Sequence, residues 1–339
     1  ADNFGRSIGW TAQPDNIKNF YDSGFMSNNN VSFSGSNEKG YFRASYTNLY
    51  QKGTIPNAQL KRNSVGLNAG LEATDYLSIN VGINYTQNKG RGRGATGYNS
   101  TGSNFNQWFQ RQLNIDDLKF YKDPNDPTVQ RSWNRTSADD AFPLYWDNPY
   151  WWAYERAQND QRDRFYGNAG ITVKFTDWLS LTGRGMSDFY TEQRYERIAV
   201  GSIDVSKFSK DIYTVNENNF DLILRAKGNL TNKISIEAFV GGNRMDRKIT
   251  RNFNSTQGGL GTPGFYNLQN STGALLVVDE ATQKRINSVF GSASLGFNGL
   301  FYLDITGRND WSSTLPSGNN SYFYPSVAGS FILSEILPD

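Results

Sequence analysis

The stretch Asn287–Leu333, NSVFGSASLGFNGLFYLDITGRNDWSSTLPSGNNSYFYPSVAGSFIL, decides the fold. From Ser288 to Phe297 the residues alternate, with Val289, Gly291, Ala293, Leu295 and Phe297 on one face and Ser288, Ser292, Ser294 and Gly296 on the other. Phe290 is the large intruder on the polar side. Asn298-Gly299 is the dipeptide that most readily takes the two positive-φ positions of a type I′ hairpin turn. The chain returns with Phe301, Leu303, Ile305 and Gly307 on one side and Tyr302, Asp304, Thr306 and Arg308 on the other. A polar connection of about a dozen residues then leads to a third alternating run, Tyr322 to Leu333. A tight turn followed by a longer loop is the unit whose repetition defines the molecule.

The same unit recurs upstream. Val31 and Phe33 begin it, and Phe42, Ala44 and Tyr46 follow a turn at Ser36 to Gly40. Val65, Leu67, Ala69 and Leu71 pass through a turn at Ala73 to Tyr76 into Leu77, Ile79, Val81, Ile83 and Tyr85. Ala169, Ile171, Val173 and Phe175 turn at Thr176 to Trp178 into Leu179, Leu181 and Gly183. Phe220, Leu222 and Leu224 turn at Thr231 to Lys233 into Ile234, Ile236, Ala238 and Val240. Eleven strands result. A weak internal repeat marks the turn-to-strand step: DYLSIN at Asp75, DWLSLTGR at Asp177, NKISIE at Asn232 and NGLFYLDITGR at Asn298.

Several strands alternate for about ten residues, whereas soluble strands average five or six and a tilted strand needs about ten to cross a bilayer. Short turns alternate with long loops, expected at about 87–163, 188–217 and 243–284 and assigned to the extracellular side. Aromatics collect near the turns (Tyr76, Trp178, Phe301, Tyr302), where an interfacial girdle belongs. The pattern predicts an all-β, antiparallel transmembrane barrel of the outer membrane, part of one barrel domain over residues 1–339, with lipid around it. Leu67, Leu71, Ile79, Val81, Ile171, Leu222, Ile236, Leu295 and Leu303 are expected to face lipid. Arg43, Glu72, Arg184, Arg225, Glu237, Asp304 and Arg308 are expected to line a wet lumen. An odd number of antiparallel strands cannot close, so the eleven are part of a larger barrel.

Composition narrows the function. There is no cysteine and no histidine, which removes disulfides, thiolate chemistry and Ser-His-Asp arrangements. A net charge of +2 without a clustered basic face argues against nucleic acid as a partner. No apolar run is long enough for a membrane helix; the longest, Ala274 to Val278, is five residues. GRGRG at Gly90 to Gly94 lacks the Lys-Ser/Thr of a phosphate loop. The acidic DPNDP segment, Asp123 to Pro127, lacks the Glu that would complete a calcium loop. No catalytic constellation, metal or cofactor site is assigned, and the chain reads as a non-enzyme.

The informative cluster is aromatic. Five of the eight Trp fall in the 87–163 loop: Trp108, Trp133, Trp146, Trp151 and Trp152, with Phe105, Phe109, Tyr145 and Tyr150. Such rings form a small loop core, contact a lid protein, or stack on substrate. Trp108, Trp133, Tyr145, Trp146, Tyr150, Trp151 and Trp152 are the candidate contact residues, and their number predicts an ordered loop, since disordered segments are poor in aromatics.

Beyond pattern, the wording of Asn28 to Asn57, Asn148 to Arg184 and Ser288 to Glu335, together about a third of the chain, resembles the SusC/RagA family of TonB-dependent outer-membrane transporters of Bacteroidetes. The resemblance implies a 22-stranded barrel, an N-terminal plug that contacts TonB, and a SusD-like surface lipoprotein as lid. Its substrates would be oligosaccharides or peptides, and its place the bacterial cell outer membrane. Neither the plug, the TonB-contacting segment nor the second half of the barrel is seen in these residues. A siderophore receptor, a passive porin and a surface adhesion barrel are the alternatives.

Overall fold

A computed structural model describes residues 9–94, 97–107, 109–137, 139–140 and 142–335. Eleven strands form one antiparallel sheet in sequence order. They are β1 Phe25–Asn37, β2 Gly40–Lys52, β3 Gln59–Thr74, β4 Leu77–Arg91, β5 Gln158–Lys174 and β6 Leu179–Ile198. β7 Lys207–Thr231, β8 Ile234–Ser255, β9 Leu276–Phe297, β10 Phe301–Ser312 and β11 Ser321–Phe331 complete it. Because every strand pairs with its sequence neighbours, the five short turns share one end of the sheet and the five longer connections share the other. The Asn-Gly turn forms as its sequence dictates: Asn298 and Gly299 have φ of 53° and 69°, and the Leu300 N–H donates to the Phe297 carbonyl at 2.9 Å.

Register places the apolar rows in line. Val65 pairs with Tyr85 and Tyr85 with Phe165; Leu71 pairs with Ile79 and Ile79 with Ile171; Leu295 lies between Ile236 and Leu303. None of the nine residues assigned to the lipid row is buried, and Leu67, Leu71, Ile171 and Leu222 are exposed. An apolar sheet face left open in this way has no protein core behind it.

The height of the apolar band can be read from single strands. On β10 the band runs from Phe301 to Trp311, and on β7 from Phe220 to Leu230, eleven residues and so ten residue steps in each case. At about 3.4 Å per residue and a tilt of roughly 45°, ten steps give about 25 Å, the height of a membrane barrel's apolar band.

The strands do not stop there. β7 has 25 residues, β8 and β9 have 22 each, and β6 has 20. The connections expected at 188–217 and 243–284 are therefore mostly strand, and the true loops are 199–206 and 256–275. The largest connection is 92–157 rather than 87–163. Above the band both sheet faces are polar or mixed, so the period-two apolar signal disappears while the backbone ladder continues. Tyr302 lies on the polar face, as its place in the alternation predicts, and so stands apart from the outward girdle it was grouped with; it sits over Gly296, where a side chain would strike its ring at 2.8 Å.

Candidate functional site

The polar face is a wall of paired charges. Arg184 donates to Asp221 Oδ2 from Nε at 3.0 Å and from Nη2 at 2.5 Å, and Asn243 Nδ2 donates to Asp221 Oδ1 at 2.6 Å. Arg225 pairs with Glu237 at 2.6 Å, and Arg308 donates to Asp310 at 2.7 Å and Ser288 at 2.8 Å. Higher up, Arg162 and Arg194 both engage Glu192, and Arg251 engages Asp211. Apolar residues outside and paired charges inside describe a sheet with lipid on one side and water on the other.

At the long-connection end, the described residues of 92–157 fold into a compact unit. Phe20, Phe105, Phe109, Ile115, Leu118 and Tyr150 form its core, with Trp133 and Tyr154 packed against it. Phe20 belongs to α1, Asn16–Phe20, so the segment before the first strand completes the unit. Asn16 supports it too, accepting from the Ile115 N–H at 2.6 Å. α2, Thr101–Gln107, supplies Phe105, and α3, Pro149–Glu155, supplies Tyr150 and Trp151.

α3 starts where it does for a local reason. Asn148 caps it, accepting from the Tyr150 N–H at 2.8 Å, and Pro149 at the first helical position needs no partner for a missing N–H. Asn148 is fully buried and its Nδ2 donates to the carbonyls of Leu118 at 2.9 Å and Arg131 at 2.7 Å. Gln130 accepts from the Asn148 N–H and donates to Asp147 and to the Gly201 carbonyl, both at 2.7 Å.

This knot fastens the unit to the β6–β7 connection. Asp147 accepts from the Ile203 N–H at 2.9 Å, Trp151 Nε1 donates to Ser202 Oγ at 2.9 Å, and Arg156 pairs with Asp204. Gly201 sits at φ 94°, and a side chain there would drive into the Thr128 carbonyl. Burial pushes the Asp147 carboxyl up, while the donors from Gln130 and Ile203 and the charge of Arg156 pull against it. Burial likewise pushes the Tyr121 and Tyr150 hydroxyls up to about 12.

The candidate aromatics separate into two groups. Trp133, Tyr150 and Trp151 belong to the unit's interior; Trp151 is 1 % exposed and cannot meet a ligand. Tyr145, Trp146 and Trp152 instead line a cleft of about 300 Å³ with Tyr98, Arg156, Asp147, Ile203 and Asp204. Trp108 lies outside the described residues. Tyr98, whose ring centroid is 5.7 Å from that of Trp146, was not among the sequence candidates. Nothing in its polar surroundings, Gly97 to Ser100, marks it, and only the fold of the unit brings it to Trp146.

The remaining sequence features have local explanations. Asp123 and Asp126 cap their own turns, accepting from the Asn125 and Thr128 N–H groups at 2.8 and 2.9 Å. In GRGRG, Gly92 takes φ 64° and lies so close to the Asn57 carbonyl that a side chain would meet it at 2.5 Å.

No protein-family model matches the chain, and no curated protein matches it. Among solved structures it is similar to the RagAB peptide transporter, with a TM-score of 0.77 at 18% identity over 99% of this chain and 37% of that one. It is also similar to the siderophore receptor PiuA from Acinetobacter baumannii, with a TM-score of 0.54 at 11% identity over 90% of this chain and 44% of that one. The ferric citrate transporter FecA gives 0.55 at 8% identity over 91% and 40%. The chain thus spans less than half the length of these proteins. Their shared architecture agrees with the lipid-facing band, the wet face and the alternation of short and long connections. The chain has the fold of a bacterial outer-membrane β-barrel, of which it forms eleven strands.

Proposed function

We propose that this chain is part of a TonB-dependent importer of oligomeric nutrients, glycans or peptides, working with a SusD-like lipoprotein at the cell surface. The observation that carries the reading is the two-sidedness of the sheet. Over the same eleven residues the outer face is apolar, while the inner face holds Arg184–Asp221, Arg225–Glu237 and Arg308–Asp310. Charges at that depth are stable only beside water, so the wall bounds an aqueous lumen. Further support comes from the long-connection end, which carries a firmly built aromatic unit of the kind a partner or cargo meets first.

In this reading the 92–157 unit and the tips of β6–β9 are extracellular, and the short turns face the periplasm. The greater likeness to the RagAB peptide transporter than to the siderophore receptors favours oligomers over iron chelates. The test is uptake of labelled oligosaccharides and peptides by cells expressing the full-length protein, with and without TonB. Uptake that needs both the protein and TonB is expected. Uptake unchanged on loss of TonB would reduce the protein to a passive pore. The lipoprotein partnership is checked by mild-detergent purification of the tagged protein from outer membranes, where a surface lipoprotein should accompany it.

A further inference from the structure

The cleft bounded by Tyr98, Tyr145, Trp146 and Trp152, with Arg156 and Asp204 at its base, has features that the transport reading does not use. Two of its rings, Tyr98 and Tyr145, are exposed, and two, Trp146 and Trp152, are half-buried along its wall. Tyr98 and Tyr145 are 65% and 62% exposed. The backbone N–H groups of Tyr145 and Trp146 both donate to Asn134 Oδ1, at 2.8 and 3.1 Å, and Asn134 Nδ2 returns a bond to the Trp146 carbonyl at 2.7 Å. One buried-side clamp thus fixes two consecutive aromatic residues at the surface. Rings held in place while still lining an open cleft are suited to stack on something that arrives.

Charge selects what can arrive. The Arg156 guanidinium already lies over the Trp152 ring, 5.5 Å from its centroid, and is paired with Asp204. An incoming cation would compete with Arg156 for both, so the cleft is not an open cage for ammonium groups. An incoming anion would face the carboxylates of Asp147 and Asp204. A neutral ligand meets neither obstacle. Asp204 is half exposed and can accept hydrogen bonds from hydroxyls, while the guanidinium donates. A volume of about 300 Å³ is at the lower end of ligand pockets and suits a single ring.

We infer that this cleft is a subsite for one neutral sugar ring of an oligosaccharide, its C–H face on Trp146 and its hydroxyls toward Asp204 and Arg156. The inference rests on the import reading only for the cleft's role in capturing cargo; binding itself does not require transport. The cleft lies among the long connections at one end of the sheet, so on the import reading it would hold an oligomer before entry.

The experiment uses the full-length protein in nanodiscs, fluorescently labelled, on an array of immobilised neutral, sulfated and uronic oligosaccharides and of aromatic, basic and acidic hexapeptides. Binding to a subset of the neutral glycans is expected. Trp146→Ala should weaken it roughly tenfold, the loss expected for about 1.4 kcal/mol of stacking, and Trp146→Phe should restore most of it. Tyr145→Ala, at an exposed ring, tests the same face where Trp146→Ala perturbs folding of the unit, which hydrogen exchange across its amides reports. Absence of binding to every neutral glycan, preferential binding to charged peptides, or binding indifferent to both alanine variants would overturn the assignment. Uptake is scored separately. Neutral-glycan binding without uptake would sink the importer and leave the subsite, whereas TonB-dependent uptake without binding at the cleft would do the reverse.

Discussion

The eleven-residue band of β7 and the thirteen residues that extend it belong to one strand but obey different rules. From Phe220 to Leu230 the outward row is apolar and faces lipid, and the inward row carries Asp221, Ile223 and Arg225. From Lys207 to Asn219 both rows are polar or mixed, and cross-strand pairs such as Arg251–Asp211 take over. In the band, burial in hydrocarbon fixes which face is which, so a wrong residue is costly. In the extension, water solvates either face, and the backbone ladder with its ion pairs holds the strands. The 92–157 unit adds a third regime, a true protein core fastened to the top of that wall.

The sharpest way to break this comparison is within the unit. Trp151→Ala removes a buried indole and its bond to Ser202, and should cost about 3–5 kcal/mol locally. Hydrogen exchange should rise across 92–157 and 199–206 while β1–β4 stay protected. Global loss of the barrel would show that unit and wall are one cooperative body. For the same reason a Trp151→Ala, Trp152→Ala double variant confuses unfolding with loss of contact; Trp152→Ala alone addresses the cleft.

The second test sets Leu222→Arg against Asn216→Arg, two outward positions six residues apart on β7. The first lies in the apolar band and should cost roughly 2–4 kcal/mol of barrel stability. The second is exposed in the extension and should stay within about 0.5 kcal/mol of wild type. Folding titrations in lipid vesicles measure both. Equal effects would move the membrane boundary.

The smallest effect concerns Asp147. Its carboxyl is raised by burial, so the folded unit binds a proton more tightly than the unfolded chain does. Stability from this group is therefore greatest in acid and falls as pH rises through the folded value. Asp147→Asn keeps an acceptor for Gln130 and Ile203 and should flatten the pH dependence of exchange in 199–206 below neutrality. An unchanged profile would place the titration elsewhere.

What the sequence revealed follows the same division. In the band, one solvent per face writes a period of two, so Leu67, Ile79, Leu222 and Leu303 and the turns at Ala73–Tyr76 and Asn298–Gly299 were all readable. In the extensions water lies on both sides, the period vanishes, and 207–217 passed for loop. Within the unit, aromatic richness announced order. It could not separate Trp151, which is buried, from its neighbour Trp152, which reaches the cleft, because adjacent helical residues point about 100° apart and packing alone decides which side is inside. The contribution of Tyr98 depends on tertiary folding and left no local trace.

The sequential strand order also has a kinetic side. Every pairing is between chain neighbours, and nine of the ten are separated by 20 residues or fewer; only β4 and β5 are split, by the 66 residues of 92–157. Closing a flexible loop of that length in place of a three-residue turn costs about 3 kcal/mol more in chain entropy. The folded unit removes that cost, since it brings its own ends together: the Arg93 N–H already reaches the Gln158 carbonyl at 3.2 Å. The unit is thus expected to form no later than the β4–β5 pairing and to act as a preassembled clasp for it. In pulse-labelled hydrogen exchange during refolding, the amides around Asn148 should gain protection before or together with those of β5, and the reverse order would show that the sheet gathers the unit instead.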